Sequence, residues 1–137
     1  MKKLFYTLWV DAIVFERSNN NGIRNWKIYT LVPMSLYQGL NIFTVLFWLS
    51  FFGVRMDVFL DFNIFPSKML DGALSGLLTL FFPFIILNYL LIFNRHRYEK
   101  LIEKYIYKKG KYYKTYAIAS VIISVLPLII LKILGMI

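Results

Sequence analysis

Residues 72–94 read GALSGLLTLFFPFIILNYLLIFN, without a single Asp, Glu, Lys, Arg or His. The hydrocarbon core of a bilayer, about 30 Å thick, is crossed by roughly 20 apolar residues in an α-helix. This stretch meets that length. Working outward, Ile28 to Val54 carries no charge either, and Thr115 to Leu131 carries none before Lys132. The third stretch spans if Lys132 snorkels to the headgroups and leaves Ile133 to Ile137 as an apolar tail. The expected fold is therefore an all-α membrane protein with three transmembrane helices. An N-terminal interfacial helix precedes them, and a cytoplasmic helical extension lies between spans two and three. The expected divisions of this single membrane domain are 1–25 (interfacial N-terminal segment), 26–54 (first span) and 55–67 (external loop). They continue with 68–94 (second span), 95–112 (basic cytoplasmic extension) and 113–137 (third span).

Composition agrees. The chain has 137 residues, of which 59% are hydrophobic and 19% aromatic, and its mean hydropathy is +0.62. A soluble domain is about 45–50% apolar, with charge interleaved rather than segregated into blocks. Three spans and their connections use nearly all the residues, which leaves no room for a separate soluble domain. The net charge is +9, and eight of the 16 Lys and Arg lie between Arg95 and Lys114. These are Arg95, Arg97, Lys100, Lys104, Lys108, Lys109, Lys111 and Lys114. Flanked by spans, they read as contacts to an anionic lipid bilayer or to a partner. No recognition motif accompanies them, so nucleic acid is not an expected partner. With no cysteine, there is no disulfide framework or thiol chemistry.

The distribution of charge sets the expected orientation. Lys2, Lys3, Arg17, Arg24 and Lys27 precede the first span, and the eight basic residues follow the second. The connection between them has only Arg55 and Lys68, against Asp57, Asp61 and Asp71. By the positive-inside rule the N-terminus is cytoplasmic and the C-terminus external, in the inner membrane of a bacterium. Lys2-Lys3 before Leu4 to Val10 resembles the start of a signal peptide. Asp11, Glu16 and Arg17 interrupt it and no small-residue cleavage site follows, so the segment is expected to be retained.

Residues 3–16 read as a helix too short to cross, lying in the interface or packed on the spans. Leu4, Phe5, Leu8, Trp9, Ala12, Ile13 and Phe15 cover most of its circumference, and Lys3, Thr7 and Asp11 form one polar stripe. Ser18 to Gly22 ends it. Trp26 and Trp48 mark the two ends of the first span. Ser67 is a candidate N-cap for the second. Tyr98, Leu101, Ile102 and Tyr105 follow 3–4 spacing, which predicts one helix continuing past the second span to Lys109 and stopping at Gly110.

Within the spans, Ser35, Gln38, Asn41 and Asn88 need partners in hydrocarbon. Hydrogen bonding between helices is the favoured reading, and a polar path for a solute the sharper one. No carboxylate lies mid-span, which weighs against proton-coupled transport. Gly72 and Gly76 form a GxxxG that admits close helix packing, and Ala117, Ser120 and Ser124 form a weaker small-residue stripe on the third span. Chemistry has little to work with. His96, the one histidine, lies between two arginines and reads first as a headgroup contact. No metal-ligand spacing occurs, and no catalytic residue or cofactor is expected.

The run Asn88-Tyr89-Leu90-Leu91-Ile92-Phe93, followed by Arg97-Tyr98-Glu99-Lys100-Leu101-Ile102-Glu103-Lys104-Tyr105, resembles uncharacterised small membrane proteins of Bacteroidota genomes. In these, a span ending in Asn-Tyr leads into a basic Tyr-Glu-Lys helix. The likeness covers residues 88–105 and brings no established activity. Some small multi-span proteins of such genomes look like immunity partners of secreted toxins, and the resemblance adds that role as an expectation. The chain is thus expected to be a non-enzymatic protein acting through another membrane protein or itself. A homo-oligomeric channel or small carrier is the alternative.

Overall fold

The computed structural model describes residues 1–19, 25–54, 59 and 61–136. The expectations that involve Asn20, Asn21, Gly22, Arg24, Arg55 and Asp57 lie outside them. All regular structure among the described residues is helical: α1 (Lys2–Asn19), α2 (Trp26–Phe51), α3 (Lys68–Gly76), α4 (Phe82–Asn88), α5 (Arg97–Lys104) and α6 (Lys111–Ile133). Two π-helical stretches, Leu77–Phe81 and Tyr89–Phe93, join α3 to α4 and extend α4, and a 3₁₀ turn, Asn94–His96, leads into α5. Three helical runs are long and apolar enough to cross a membrane: Trp26–Phe51, Lys68–Lys104 and Lys111–Ile133.

The first π stretch has a local cause at Pro83. Proline has no N–H for the carbonyl four residues back, at Thr79, and its ring crowds that carbonyl. The helix widens just before it, and the Phe82 N–H bonds the Leu77 carbonyl five residues back. A second widening closes with the Asn94 N–H on Tyr89. The chain then turns sharply, because Arg95 and His96 both take left-handed backbone angles, at φ 52° and 56°. The single helix predicted to run from the second span to Lys109 is therefore broken at residues 94–96 and ends at Lys104. The predicted apolar face of α5 survives: Tyr98 is buried, and Leu101 and Ile102 pack on the same cluster. Tyr105 meets Tyr6, with ring centroids 5.7 Å apart.

The first span ends a little earlier than predicted. The Gly53 N–H bonds Ser50 and the Val54 N–H bonds Leu49, both at 3.0 Å, which is the Schellman closure of a helix C-terminus. The same pattern around Gly135 closes α6. Ser67 does occupy the N-cap position of α3, with extended angles but no side-chain cap bond.

α2 is the central helix. α6 packs along one side of it, and α4 with the preceding π stretch along the other. Gly39 permits the second contact: a Cβ there would sit 3.0 Å from the Leu80 carbonyl oxygen. The densest packing lies at the basic end. Trp9, Ala12, Ile13, Met34, Ile92, Phe93, Tyr98 and Tyr113 form one cluster drawn from α1, α2, α5, α6 and the second π stretch. α1 is the centre of that cluster, with Trp9, Val10, Ala12 and Ile13 all at 0% exposure.

Candidate functional site

The polar side chains inside the spans are brought together in two separate seams. On the α2–α4 side, Asn88 is fully buried. Its Nδ2 donates to Ser35 Oγ at 3.0 Å and to Gln38 Oε1 at 2.7 Å. On the α2–α6 side, Asn41 Nδ2 donates to the Tyr116 hydroxyl and to Ser120 Oγ, each at 3.1 Å. One turn on, the Thr44 hydroxyl lies 3.3 Å from that of Ser124, which donates to the Ser120 carbonyl at 2.7 Å. Ser35, Gln38, Asn41 and Asn88 thus do not line a common wall. Ser35 and Gln38 pair with one neighbour of α2, and Asn41 with the other. Each asparagine keeps one buried acceptor, Asn41 Oδ1 and Asn88 Oδ1, without a partner.

The small residues divide differently. Ser120 and Ser124 lie in the α2–α6 seam. Gly72 and Gly76 do not meet another helix of this chain, since nothing lies within 4 Å of a Cβ built on either. The glycine that brings two helices together is Gly39, which the spacing did not single out.

At the basic end, the eight predicted contact residues Arg95, Arg97, Lys100, Lys104, Lys108, Lys109, Lys111 and Lys114 are all exposed. The Arg97 guanidinium reaches the Leu90 carbonyl at 3.3 Å. Lys114 lies over the Phe15 ring at 4.9 Å. Arg17 and Lys27 lie over Trp26, at 5.1 and 5.8 Å, and Lys27 also lies over Tyr98 at 5.1 Å. Cations over ring faces are attracted by the ring quadrupole, and here they fence an aromatic group of Trp9, Trp26, Phe93 and Tyr98. His96 is exposed, with Nδ1 3.3 Å from the Tyr98 hydroxyl and 3.7 Å from Glu99. Among the described residues no group of three or more His, Asp or Glu is placed to hold a metal ion.

Beneath this surface lies a carboxylate that the sequence reading placed on an ordinary polar stripe. Asp11 has 0% exposure. Its Oδ1 accepts the backbone N–H groups of Lys108 at 2.8 Å and Gly110 at 2.9 Å, and its Oδ2 accepts that of Tyr113 at 3.1 Å. Of that stripe only Lys3 is exposed; Thr7 is turned inward with Asp11 and donates to the Lys3 carbonyl at 2.7 Å. The first amides of a helix have no partner within it and carry positive partial charge, so a carboxylate is well placed there. Asp11 caps α6 from about a hundred residues away in the chain, and so locks α1 under the 105–110 segment. Gly110 makes the contact feasible: its φ is 75°, and a Cβ would stand 2.5 Å from Phe15 Cδ2.

Sequence reasoning missed Asp11, Gly39, Thr44 and Tyr116. A signal existed for three of them. Asp11 is an acid flanked by Leu8, Trp9, Val10, Ala12 and Ile13 in a helix apolar nearly all round, Thr44 continues the three-residue spacing of Ser35, Gln38 and Asn41, and Tyr116 stands four before Ser120. Gly39 had none, because its role depends on which carbonyl lies opposite. No protein-family model matches the chain, and no curated protein or solved structure matches it.

Proposed function

We propose that this chain is a non-enzymatic integral protein of a bacterial inner membrane, acting through contact with another membrane protein. An accessory subunit or an immunity-type protein would fit that description. The observation that carries the reading is the pairing of the intramembrane polar groups across helix seams. Polar groups paired in this way hold a bundle together and leave no continuous wall for a solute. Gly76 adds support: it borders an apolar cleft with Leu36, Gly39 and Phe43 of α2 in which a Cβ would meet nothing within 4 Å, and small residues admit the backbone of a further helix. The basic surface at the other end would face the cytoplasm and its anionic leaflet, at about 1 kcal/mol per basic residue near the surface.

The test is affinity capture in mild detergent, with wild type beside Gly72→Leu and Gly76→Leu. A Cβ at either position meets nothing within 4 Å, and because Gly72 also borders residues 61–63 before α3, the melting temperature of each variant is measured alongside so that loss of a partner is separated from loss of fold. The expected result is a stoichiometric partner, foreign or a second copy, that the leucines displace. Absence of any reproducible partner would sink the proposal.

The alternative is a homo-oligomeric channel or small carrier, in which the two seams open on assembly and Ser35, Gln38, Asn41 and Asn88 then line a path. The two unpartnered acceptors, Asn41 Oδ1 and Asn88 Oδ1, are the observation in its favour. Replacing Gln38 and Asn41 with Leu should then abolish flux in liposomes. Unchanged flux rejects that lining.

A further inference from the structure

The first two turns of α1 border a cleft of about 650 Å³ near the basic ends of the second and third spans. Leu4 and Leu8 of α1, Leu91 of the second π stretch and Tyr116 of α6 give it largely apolar walls. Two polar side chains join them. Lys2 is exposed and forms no ion pair among the described residues. Gln38 of α2 is half-buried. Its Oε1 is taken by Asn88 Nδ2 at 2.7 Å, which leaves the Nε2 end of the amide for the cleft. That nitrogen has no acceptor among the described residues and, unlike Asn41 Oδ1 and Asn88 Oδ1, is not sealed from the surface. An amide donor among apolar groups without an acceptor is costly, and hydrocarbon has no water to supply one.

The cleft thus offers apolar walls, a free hydrogen-bond donor and an unpaired cation. A phospholipid has the complementary parts: an acyl chain, an ester carbonyl and a phosphate. A zwitterionic headgroup would bring its own ammonium beside Lys2, whereas an acidic headgroup brings only negative charge. The volume falls in the range of small-molecule sites, about 300–1,000 Å³. We propose that this cleft binds one acidic phospholipid from the leaflet on the basic side. An acyl chain lies against Leu8 and Leu91, an ester carbonyl accepts from Gln38 Nε2, and the phosphate lies at Lys2. None of the eight basic residues between Arg95 and Lys114 borders the cleft, so the site is separate from their general attraction to an anionic surface. It rests on the chain spanning a bilayer, as proposed above, and not on a protein partner.

The test uses the full chain as wild type, Lys2→Gln, Leu91→Trp and Lys100→Gln. Each is reconstituted in nanodiscs of equal phosphatidylglycerol and phosphatidylethanolamine and moved to mild detergent, and the lipid retained is read by native mass spectrometry. Retention of one phosphatidylglycerol per wild-type chain, in preference to phosphatidylethanolamine, is expected. The Lys2 side chain is exposed and has no partner among the described residues, so Lys2→Gln should fold as the wild type does. It should lower retention about fivefold, the effect of one cation near an anionic headgroup. Leu91→Trp fills the cleft and should abolish retention, with its melting temperature measured alongside. Lys100 is exposed but outside the cleft, so Lys100→Gln should retain lipid as the wild type does. Equal retention of the two lipids, equal loss in Lys2→Gln and Lys100→Gln, or a chain without lipid overturns the proposal. Alkaline carbonate extraction separates the lipid site from the membrane reading. A chain that carbonate releases from vesicles overturns both, whereas a chain that resists release and retains no lipid overturns only the lipid site.

Discussion

α1 and α6 invert the usual link between hydrophobicity and burial. α6 has a mean hydropathy of 2.3 over its most apolar window, yet 17% of that window is buried within the chain. α1 carries Lys2, Lys3, Asp11, Glu16 and Arg17 and is far less apolar, yet Trp9, Val10, Ala12 and Ile13 have no exposed surface at all. Within the chain α6 is buried only along a seam of Tyr113, Ser120, Pro127 and Leu131, as suits a helix long and apolar enough to cross a membrane, where apolar side chains would face acyl tails without penalty. A helix at the end of the bundle meets water unless the chain covers it, so its apolar surface is driven into protein contacts. Fold stability is therefore concentrated where the sequence looks least like a membrane protein.

The sharpest way to break this comparison is at Asp11. Asp11→Ala leaves two buried N–H groups, of Gly110 and Tyr113, and the partly buried one of Lys108 without this acceptor, and removes three bonds to a carboxylate, each worth about 1.5–3 kcal/mol. Thermal unfolding in detergent should show a loss of about 4 kcal/mol or more, the largest of any single substitution here. Asp11→Asn keeps one acceptor oxygen and should lose less. Trp9→Ala comes next, at about 3–5 kcal/mol for an aromatic side chain with no exposed surface. A loss below about 1 kcal/mol would show that α1 is peripheral after all.

Gly110→Ala is smaller. It forces a side chain into a left-handed angle and against Phe15, for about 1–3 kcal/mol. Limited proteolysis should reveal it as faster cleavage between Tyr105 and Lys111, because the capping loop is freed first. In the α2–α6 seam, a double-mutant cycle between Asn41→Ala and Ser120→Ala should give a coupling of about 0.6 kcal/mol, the usual size for hydrogen bonds between membrane helices. A coupling of zero would mean that the seam is held by packing alone.

The smallest expected effect is at Ile122 on the outer face of α6, which is 55% exposed. Ile122→Ala should change unfolding by about 0.5 kcal/mol or less, against about 2–5 kcal/mol for Ile13→Ala. If the two losses are similar, the outer face of α6 is covered by a partner or a second copy, and the contrast between the two helices disappears.

Much of the helical framework was legible. Uncharged length alone marks three candidate spans, and the 3–4 spacing of Tyr98, Leu101 and Ile102 finds the buried face of α5. Ser35, Gln38, Asn41 and Asn88 were legible as groups that need partners, because an amide in hydrocarbon is costly wherever it lies. Their division into two seams was not legible. Ser35, Gln38 and Asn41 advance by three, so the row drifts around α2 by roughly 60° at each step. Which neighbour each one meets depends on where α4 and α6 sit. The break at residues 94–96 was equally hidden. Neither Arg95 nor His96 is a helix breaker by propensity, and the turn made by their left-handed angles is followed at once by Tyr98 packed on Trp26 and Phe93.

The sequence by itself determined the number and length of the apolar helices and the asymmetry of charge between their ends, because transfer to lipid depends on local composition. Only the tertiary structure decided that α1 is the most enclosed helix, that Asp11 caps α6, and that Gly39 rather than Gly72 or Gly76 brings two helices together. Each of those depends on a backbone amide or carbonyl supplied from a distant part of the chain, and the identity of a backbone group's partner is not written in any side chain.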